Sequence, residues 1–164
     1  MFLRSSISTP IGTLNLISHE QTLLASGFTS SDELIARIAD YDVINDIKRA
    51  QRLPVITDLI EDYFDGDVSA INGISVQQAG EAFSQSAWKA MRKVSPGKTI
   101  SYADLAKKSG SSDAVRAAGS ACARNLIALV VPCHRIVRTG GALGNYAYGL
   151  KAKEWLLRHE GALK

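Results

Sequence analysis

The sequence predicts an α+β fold in two parts: a small N-terminal antiparallel sheet-and-helix unit, then a more helical unit that carries a helix-turn-helix and the reactive residues. Three observations predict it. Short apolar segments broken by turn residues fill the start of the chain, whereas helical spacing dominates the second half. The 164 residues suffice for one sound core or two small ones. Charge also divides the chain. Residues 1–82 hold 5 Lys+Arg against 12 Asp+Glu, net −7, and residues 83–164 hold 14 against 4, net +10. A swing of this size points to a polyanion partner for the second half.

The elements follow in order. FLRSSIS and TLNLIS flank Thr9-Pro10-Ile11-Gly12, a turn signal, and LLASGF (Leu23–Phe28) adds a third strand. Ser31 or Asp32 caps a helix with Leu34, Ile35, Ile38 and Tyr41 on one face. Pro54 opens a second helix on which Val55, Ile56, Leu59, Ile60, Tyr63 and Phe64 keep helical spacing, and Gly66 ends it. AINGISVQ is a strand or linker, so the boundary falls near residues 72–80, dividing the chain into 1–76 and 77–164.

Beyond it, a helix from Glu81 to Val94 turns Phe83, Ala87, Trp88 and Met91 inward, and Pro96-Gly97 breaks it. A short helix over Tyr102–Lys108, a tight turn at Gly110, Ser111 and Ser112 with a ready N-cap, and a helix over Asp113–Arg124 make a helix-turn-helix pattern. LIALVV (Leu126–Val131) suits a buried strand. The last helix, LKAKEWLLRHEG, buries Trp155 and Leu156 or Leu157.

The start MFLRSSISTPIG has no apolar h-region, and no apolar run approaches the ~20 residues of a membrane span. The chain reads as an intracellular protein. Its two cysteines, Cys122 and Cys133, do not suit a disulfide in a reducing compartment, and with His134 they lack zinc-ligand spacing. A cysteine in an apolar stretch is most often a small buried hydrophobe.

DAVRAAGSACARN is almost wholly Ala, Gly, Ser and Cys, with Arg116 early and Arg124 late. Two readings are open: a helix packed closely in a core, or one whose small side chains let its backbone approach the floor of a DNA groove while Arg116 wedges into the base stack. The most informative stretch is Val130-Val131-Pro132-Cys133-His134-Arg135. Proline stops the apolar segment, and a thiol and an imidazole sit at the break. Thiolate is the nucleophile, a neighbouring His can take its proton, and Arg135 and Arg138 add positive potential. Neighbours in an extended segment point to opposite faces, so Cys133 and His134 either share a turn or communicate through a water. Glu160 lies four residues after Leu156, on roughly the same inward side, at a helix end where the macrodipole disfavours an anion. It is either a solvated terminal residue or the partner of a polarised group, for which His134 is the candidate.

The texts RAAGSACARN, VVPCHRIVR and GGALGNYAYGLKAKEWLLRHEG resemble the O6-alkylguanine-DNA alkyltransferases, the methylated-DNA–protein-cysteine methyltransferases. Phe83…Trp88-Lys89-Ala90, GKTISYADLA and YFDG match weaker parts of that pattern, and the first 50 residues are not specific. The resemblance implies a ribonuclease-H-like scaffold domain over 1–76 and a winged-helix DNA-binding and alkyl-acceptor domain over 77–164. It implies single-turnover transfer of an alkyl group, mainly methyl, from O6-alkylguanine in double-stranded DNA to Cys133. Minor-groove binding and base flipping would precede the transfer.

Residue by residue, the resemblance implies that His134 deprotonates Cys133 through a water and that Glu160 holds the His134 tautomer. Asn125 would brace the turn before the active-site strand. Tyr102 would rotate the 3′ phosphate and assist protonation of the departing guanine. Arg116 would be the finger that fills the gap, with Ala117, Ser120, Arg124 and Tyr102 also on the DNA. Tyr146, Tyr148, Ile136 and Ala147 would line the guanine pocket, with the carbonyls of Cys133 and Ile136 accepting from the guanine amino group. It implies no metal, no cofactor, no membrane, a monomer, and a cytoplasmic protein. Leu126 and Ala128 stand where the family often has Pro, as in some bacterial branches. Gly80-Glu81-Ala82-Phe83 replaces a usual Gly-Thr-Pro-Phe. Tyr148 stands where some members have a small residue, which would favour methyl over benzyl adducts. The zinc ligands of some members' N-terminal half are missing from this sequence. Two other readings remain: a DNA-binding module without chemistry, such as a winged-helix regulator or a lesion sensor, and a Cys–His–Glu hydrolase. Lesion sensors of the family lack the cysteine that this chain keeps.

Overall fold

In the first unit, strand β1 (Phe2–Thr9) pairs antiparallel with β2 (Gly12–His19), and β2 pairs antiparallel with β3 (Thr22–Gly27). Gly12, at φ +121°, makes the reversal that an L side chain resists. Two short parallel strands extend the sheet: β4 (Ile47–Arg49), absent from the sequence reading, beside β1, and β5 (Ser75–Val76), within the segment read as a strand or linker, beside β3. The order is β4-β1-β2-β3-β5. The computed structural model describes residues 1–38 and 45–164. It comprises two compact units, Met1–Ala79 with Leu126–Val130, and Gly80–Asn125 with Val131–Lys164.

Helix α1 (Ser31–Arg37) is capped by Ser30, not by Ser31 or Asp32. Ser30 is extended and its hydroxyl accepts from the Glu33 amide at 3.2 Å, which leaves Asp32 and Glu33 in the first turn, where the dipole favours anions. Leu34 enters a core with Ile17, Ala25 and Leu126, against which Ile35 and Ile38 also pack. Tyr41, expected on the same face, lies outside the described residues. Helix α2 (Ile56–Phe64) starts later than expected, because Val55 sits at φ +69° and separates Pro54 from the helix. The Leu53 amide donates to Thr57 Oγ1 at 2.8 Å and satisfies that end. AINGISVQ resolves into a 3₁₀ turn over Ala70–Gly73 followed by β5.

Leu126–Val131 is buried throughout, as its composition demands, but it is not a strand. Only Ile127 bridges to Ser26. Ser26 takes over the polar groups there: its amide donates to Leu126 O at 3.0 Å, its hydroxyl to Ala128 O at 2.7 Å, and its carbonyl accepts from Ala128 N at 2.9 Å. Leu129 then turns the chain at φ +73°, so the ladder cannot continue.

In the second unit, α3 (Ala82–Arg92) buries Ser84, Ala87, Trp88, Ala90 and Met91, while Phe83 is only half-buried. Trp88 Nε1 donates to Ala121 O at 2.9 Å. Helix α4 (Tyr102–Lys108) is capped by Ser101, whose hydroxyl accepts from Asp104 N at 3.0 Å. Helix α5 (Val115–Arg124) has no side-chain cap, so the expected use of the Gly110–Ser112 turn for capping does not occur. Strands β6 (Ile100–Ser101) and β7 (Ile136–Val137) pair in parallel. Helix α6 (Leu150–His159) turns Ala152, Lys153, Leu156 and Leu157 inward. Trp155 is only half-buried, because the inward stripe runs through 153, 156 and 157; its ring stacks on His159 at 4.8 Å. Among the described residues no helix is long and apolar enough to cross a membrane.

Candidate active site

Cys133, His134 and Arg135 form one turn of 3₁₀ helix between Pro132 and β7. The turn, the first of the two arrangements left open by the sequence, replaces the extended strand end. Asn125, which ends α5, donates through Nδ2 to Val131 O at 2.8 Å and ties that helix end to the chain just before the thiol.

Glu160 follows α6 and is buried, not solvated. Its Oε2 lies 2.8 Å from His134 Nε2 and 3.0 Å from an Arg135 guanidinium nitrogen, and its Oε1 accepts from Arg135 Nε at 2.9 Å. The remaining guanidinium arm donates to Val94 O at 2.8 Å. Burial pushes the Glu160 carboxyl up, but the bonds from His134 and Arg135 outweigh it and hold it at about 2. The carboxylate is therefore ionised and accepts, so His134 Nε2 carries the hydrogen. Burial keeps the imidazole below its ordinary value, that is neutral, against the pull of Glu160. His134 Nδ1 is left as a bare acceptor, buried and without a partner. Arg135 does not lend its charge to the thiol as expected, because Glu160 takes it up.

Cys133 is 8% exposed and opens onto a cavity of 770 Å³. Tyr102, Arg116, Ser120, Cys122, Tyr146 and Ala147 also line that cavity. Burial pushes the Cys133 thiol up, while a hydrogen bond from Asn125 and the Lys153 ammonium pull it down. Arg116 and Ser120 lie on the exposed face of α5, and Ala117 and Arg124 are exposed on the same helix outside the cavity wall. Ala118 and Ala121 are buried on the other face. Close core packing thus holds for the Ala118–Ala121 side of the helix, while the other side is left exposed.

Tyr146 presents its edge to His134, with ring centroids 6.4 Å apart, and its buried hydroxyl has no partner. Tyr148 stands behind it, edge-on at 5.7 Å, and is not part of the cavity wall. Ile136 is fully buried, and its carbonyl accepts from Lys153 Nζ at 2.6 Å. Burial raises the phenols of Tyr102 and Tyr146 above their ordinary value. Gly144 packs on Tyr102: at φ +76°, a Cβ there would lie 3.0 Å from the phenol oxygen. Among the described residues no three His, Cys, Asp or Glu side chains gather as a metal site.

Residues 82–162 match the family model described as 6-O-methylguanine DNA methyltransferase, DNA binding domain. A methylated-DNA–protein-cysteine methyltransferase of Shigella flexneri is 35% identical over 98% of this chain and 96% of its own. The chain belongs to this family. The Homo sapiens protein of the same name is 36% identical over 96% of this chain and 80% of its own length. The Mycobacterium tuberculosis O6-methylguanine methyltransferase superposes with a TM-score of 0.79 at 28% identity, covering 99% of this chain and 94% of that one. A structure of the Mycobacterium tuberculosis OGT in complex with DNA gives 0.80 at 28% identity, over 98% and 93% of the two chains. The mixed α+β architecture is that of the family.

Two functional groups escaped the sequence reading. Lys153 is fully buried, and Nζ bridges Ile136 O and, at 3.1 Å, Asn145 O. Its signal was available: Lys153, Leu156, Leu157 and Glu160 fall at i, i+3, i+4 and i+7 on one helix face. The Arg135–Glu160 pair has no such signal, since the partners lie on different elements.

Proposed function

We propose that this protein repairs DNA by transferring an alkyl group from O6-alkylguanine to Cys133 Sγ, one lesion per molecule. The observation that carries the proposal is the bare Nδ1 of His134, set by Glu160, in the residue next to a thiol that opens on a cavity with ample room for a purine. His134 Nδ1 takes the Cys133 proton through a water, and Glu160 steadies the imidazolium that results. The thiolate displaces guanine from the alkyl carbon, and a proton delivered from the Tyr102 side of the cavity eases the departure of the base. The thioether has no cheap return path, so each molecule acts once. Asn125 and Lys153 position the groups around the sulfur. Tyr146 and Ala147 border the purine, and Tyr148 braces Tyr146. Family membership and the names of the relatives support the activity.

The same reading gives residues 77–164 a winged-helix, minor-groove binding role. Helix α5 lies in the groove with Arg116, Ala117, Ser120 and Arg124, and Arg116 fills the space left by the extruded nucleotide. Residues 1–76 serve as a ribonuclease-H-like scaffold. The protein acts as a cytoplasmic monomer without cofactor.

The test is an intact mass after incubation with duplex DNA containing O6-methylguanine. A gain of one methylene, lost in Cys133→Ser, is expected. Binding with unchanged mass would instead identify a lesion sensor, and repeated turnover a hydrolase.

A further inference from the structure

The first unit carries a second cavity, of 450 Å³, lined by Arg4, Ser5, Ser6, Asn15, Ser31, Arg49, Ala50 and Gln51. Parallel pairing of β1 and β4 sets Arg4 directly beside Arg49, and the Ala50 amide continues the ladder onto Arg4 O at 2.9 Å. Like charges at paired positions destabilise a sheet unless an anion offsets them. The chain offers little offset. Among the described residues Arg4 reaches only Asp32, at 3.6 Å, and that carboxylate is 92% exposed. Arg4 Nε is buried without a partner. Among the described residues no hydrogen bond or ion pair engages the Arg49 side chain.

The other polar groups sort into used and free. Ser5 Oγ donates to Gln51 O at 2.9 Å, Asn15 Nδ2 to Thr29 O at 2.6 Å, and Ser31 Oγ to Asn15 Oδ1 at 3.3 Å. Those bonds fix the wall. Ser6 follows Arg4 by two residues and so projects from the same face of β1. Among the described residues Arg4 Nε, the Arg49 guanidinium and the Ser6 hydroxyl are donors without an acceptor in the protein. A tetrahedral oxyanion supplies acceptors in that arrangement, and arginine forks suit phosphate best.

We propose that this cleft is a binding site for a phosphate group, of a size that admits inorganic phosphate or a mononucleotide. It is independent of the alkyl-transfer cavity, since every lining residue belongs to the first unit.

The full chain, labelled with ¹⁵N, is titrated with sodium phosphate, with adenosine monophosphate, with a short single-stranded oligonucleotide, and with sodium chloride at matched ionic strength. Arginine side-chain Nε–H resonances are followed. Saturable shifts of the Arg4 resonance by phosphate or the mononucleotide, absent with chloride, are expected. A response to the oligonucleotide alone would assign the phosphate to a DNA backbone and overturn the small-anion site. Equal shifts with chloride, or none with any ligand, would overturn the site altogether. Arg49→Gln, at an exposed strand position, should weaken phosphate binding about tenfold or more. Stoichiometric methyl transfer by that variant serves as the folding control. If Arg49→Gln binds as tightly as the parent while transferring methyl normally, the proposal is wrong.

Discussion

His134 Nε2 and Glu160 Oε2 lie 2.8 Å apart in a fully buried pair, and this contact determines which imidazole nitrogen carries the hydrogen and which is left bare. Arg135 shares the same carboxylate, so the acid serves the tautomer and the packing together.

Glu160→Gln should therefore damage both. The amide leaves the buried Arg135 charge without its partner, a loss of about 3 kcal/mol or more. It also stops enforcing the Nε2–H tautomer, which should slow transfer by about a hundredfold or more. Urea unfolding and single-turnover transfer read the two effects. A variant of normal stability and slow transfer would separate the tautomer role from the packing role.

Stability should fall with acid. Glu160 is depressed to about 2 from an ordinary 4.5, so its contribution is complete above the unfolded value and disappears as pH falls through about 2. His134 is also depressed, from 6.5, because burial favours the neutral ring. Between its two values the unfolded chain binds the extra proton, so stability declines as pH drops below 6.5. Unfolding free energy measured from pH 7 to 3 should decrease monotonically, and Glu160→Gln should flatten the most acidic part.

Lys153→Met should raise the pH at which Cys133 reacts, since the ammonium is one of the groups that lower the thiol. Expected is a loss of about tenfold at pH 7 that shrinks at pH 9. A loss equal at both values would show that Lys153 acts only by holding Ile136 O and Asn145 O.

Arg116→Ala should weaken repair of duplex DNA by about tenfold or more, and reaction with a free O6-alkylguanine base much less, because the finger proposed for Arg116 acts only when a stack must be filled. Rates on both substrates check it, and equal losses would remove the assignment.

Much of this was legible from local text. The three long strands, α3 and α4 follow from alternation and from period-3.6 spacing. Cys133 and His134 stand out because a proline stops an apolar run beside them. What the sequence hid depends on partners far along the chain. Leu126–Val131 reads as a strand by composition, but Ser26 and the left-handed Leu129 turn it into a bridge and bend. Short β4 exists because β1 offers an edge, not because three residues insist on extension. Arg135 reads as positive potential for the thiol until Glu160 is placed against it.

Ser26 and its hydrogen bonds to Leu126 and Ala128 have one further consequence. The acceptor cysteine lies only three residues past a segment that folds with the opposite end of the polypeptide. A minimal enzyme made by deleting Met1–Ala79 would deprive the five apolar residues Leu126–Val130 of the unit they fold with, just upstream of the turn that holds Cys133. Such a truncation should aggregate or lose its thiol geometry, so the acidic half must be inherited together with the basic one.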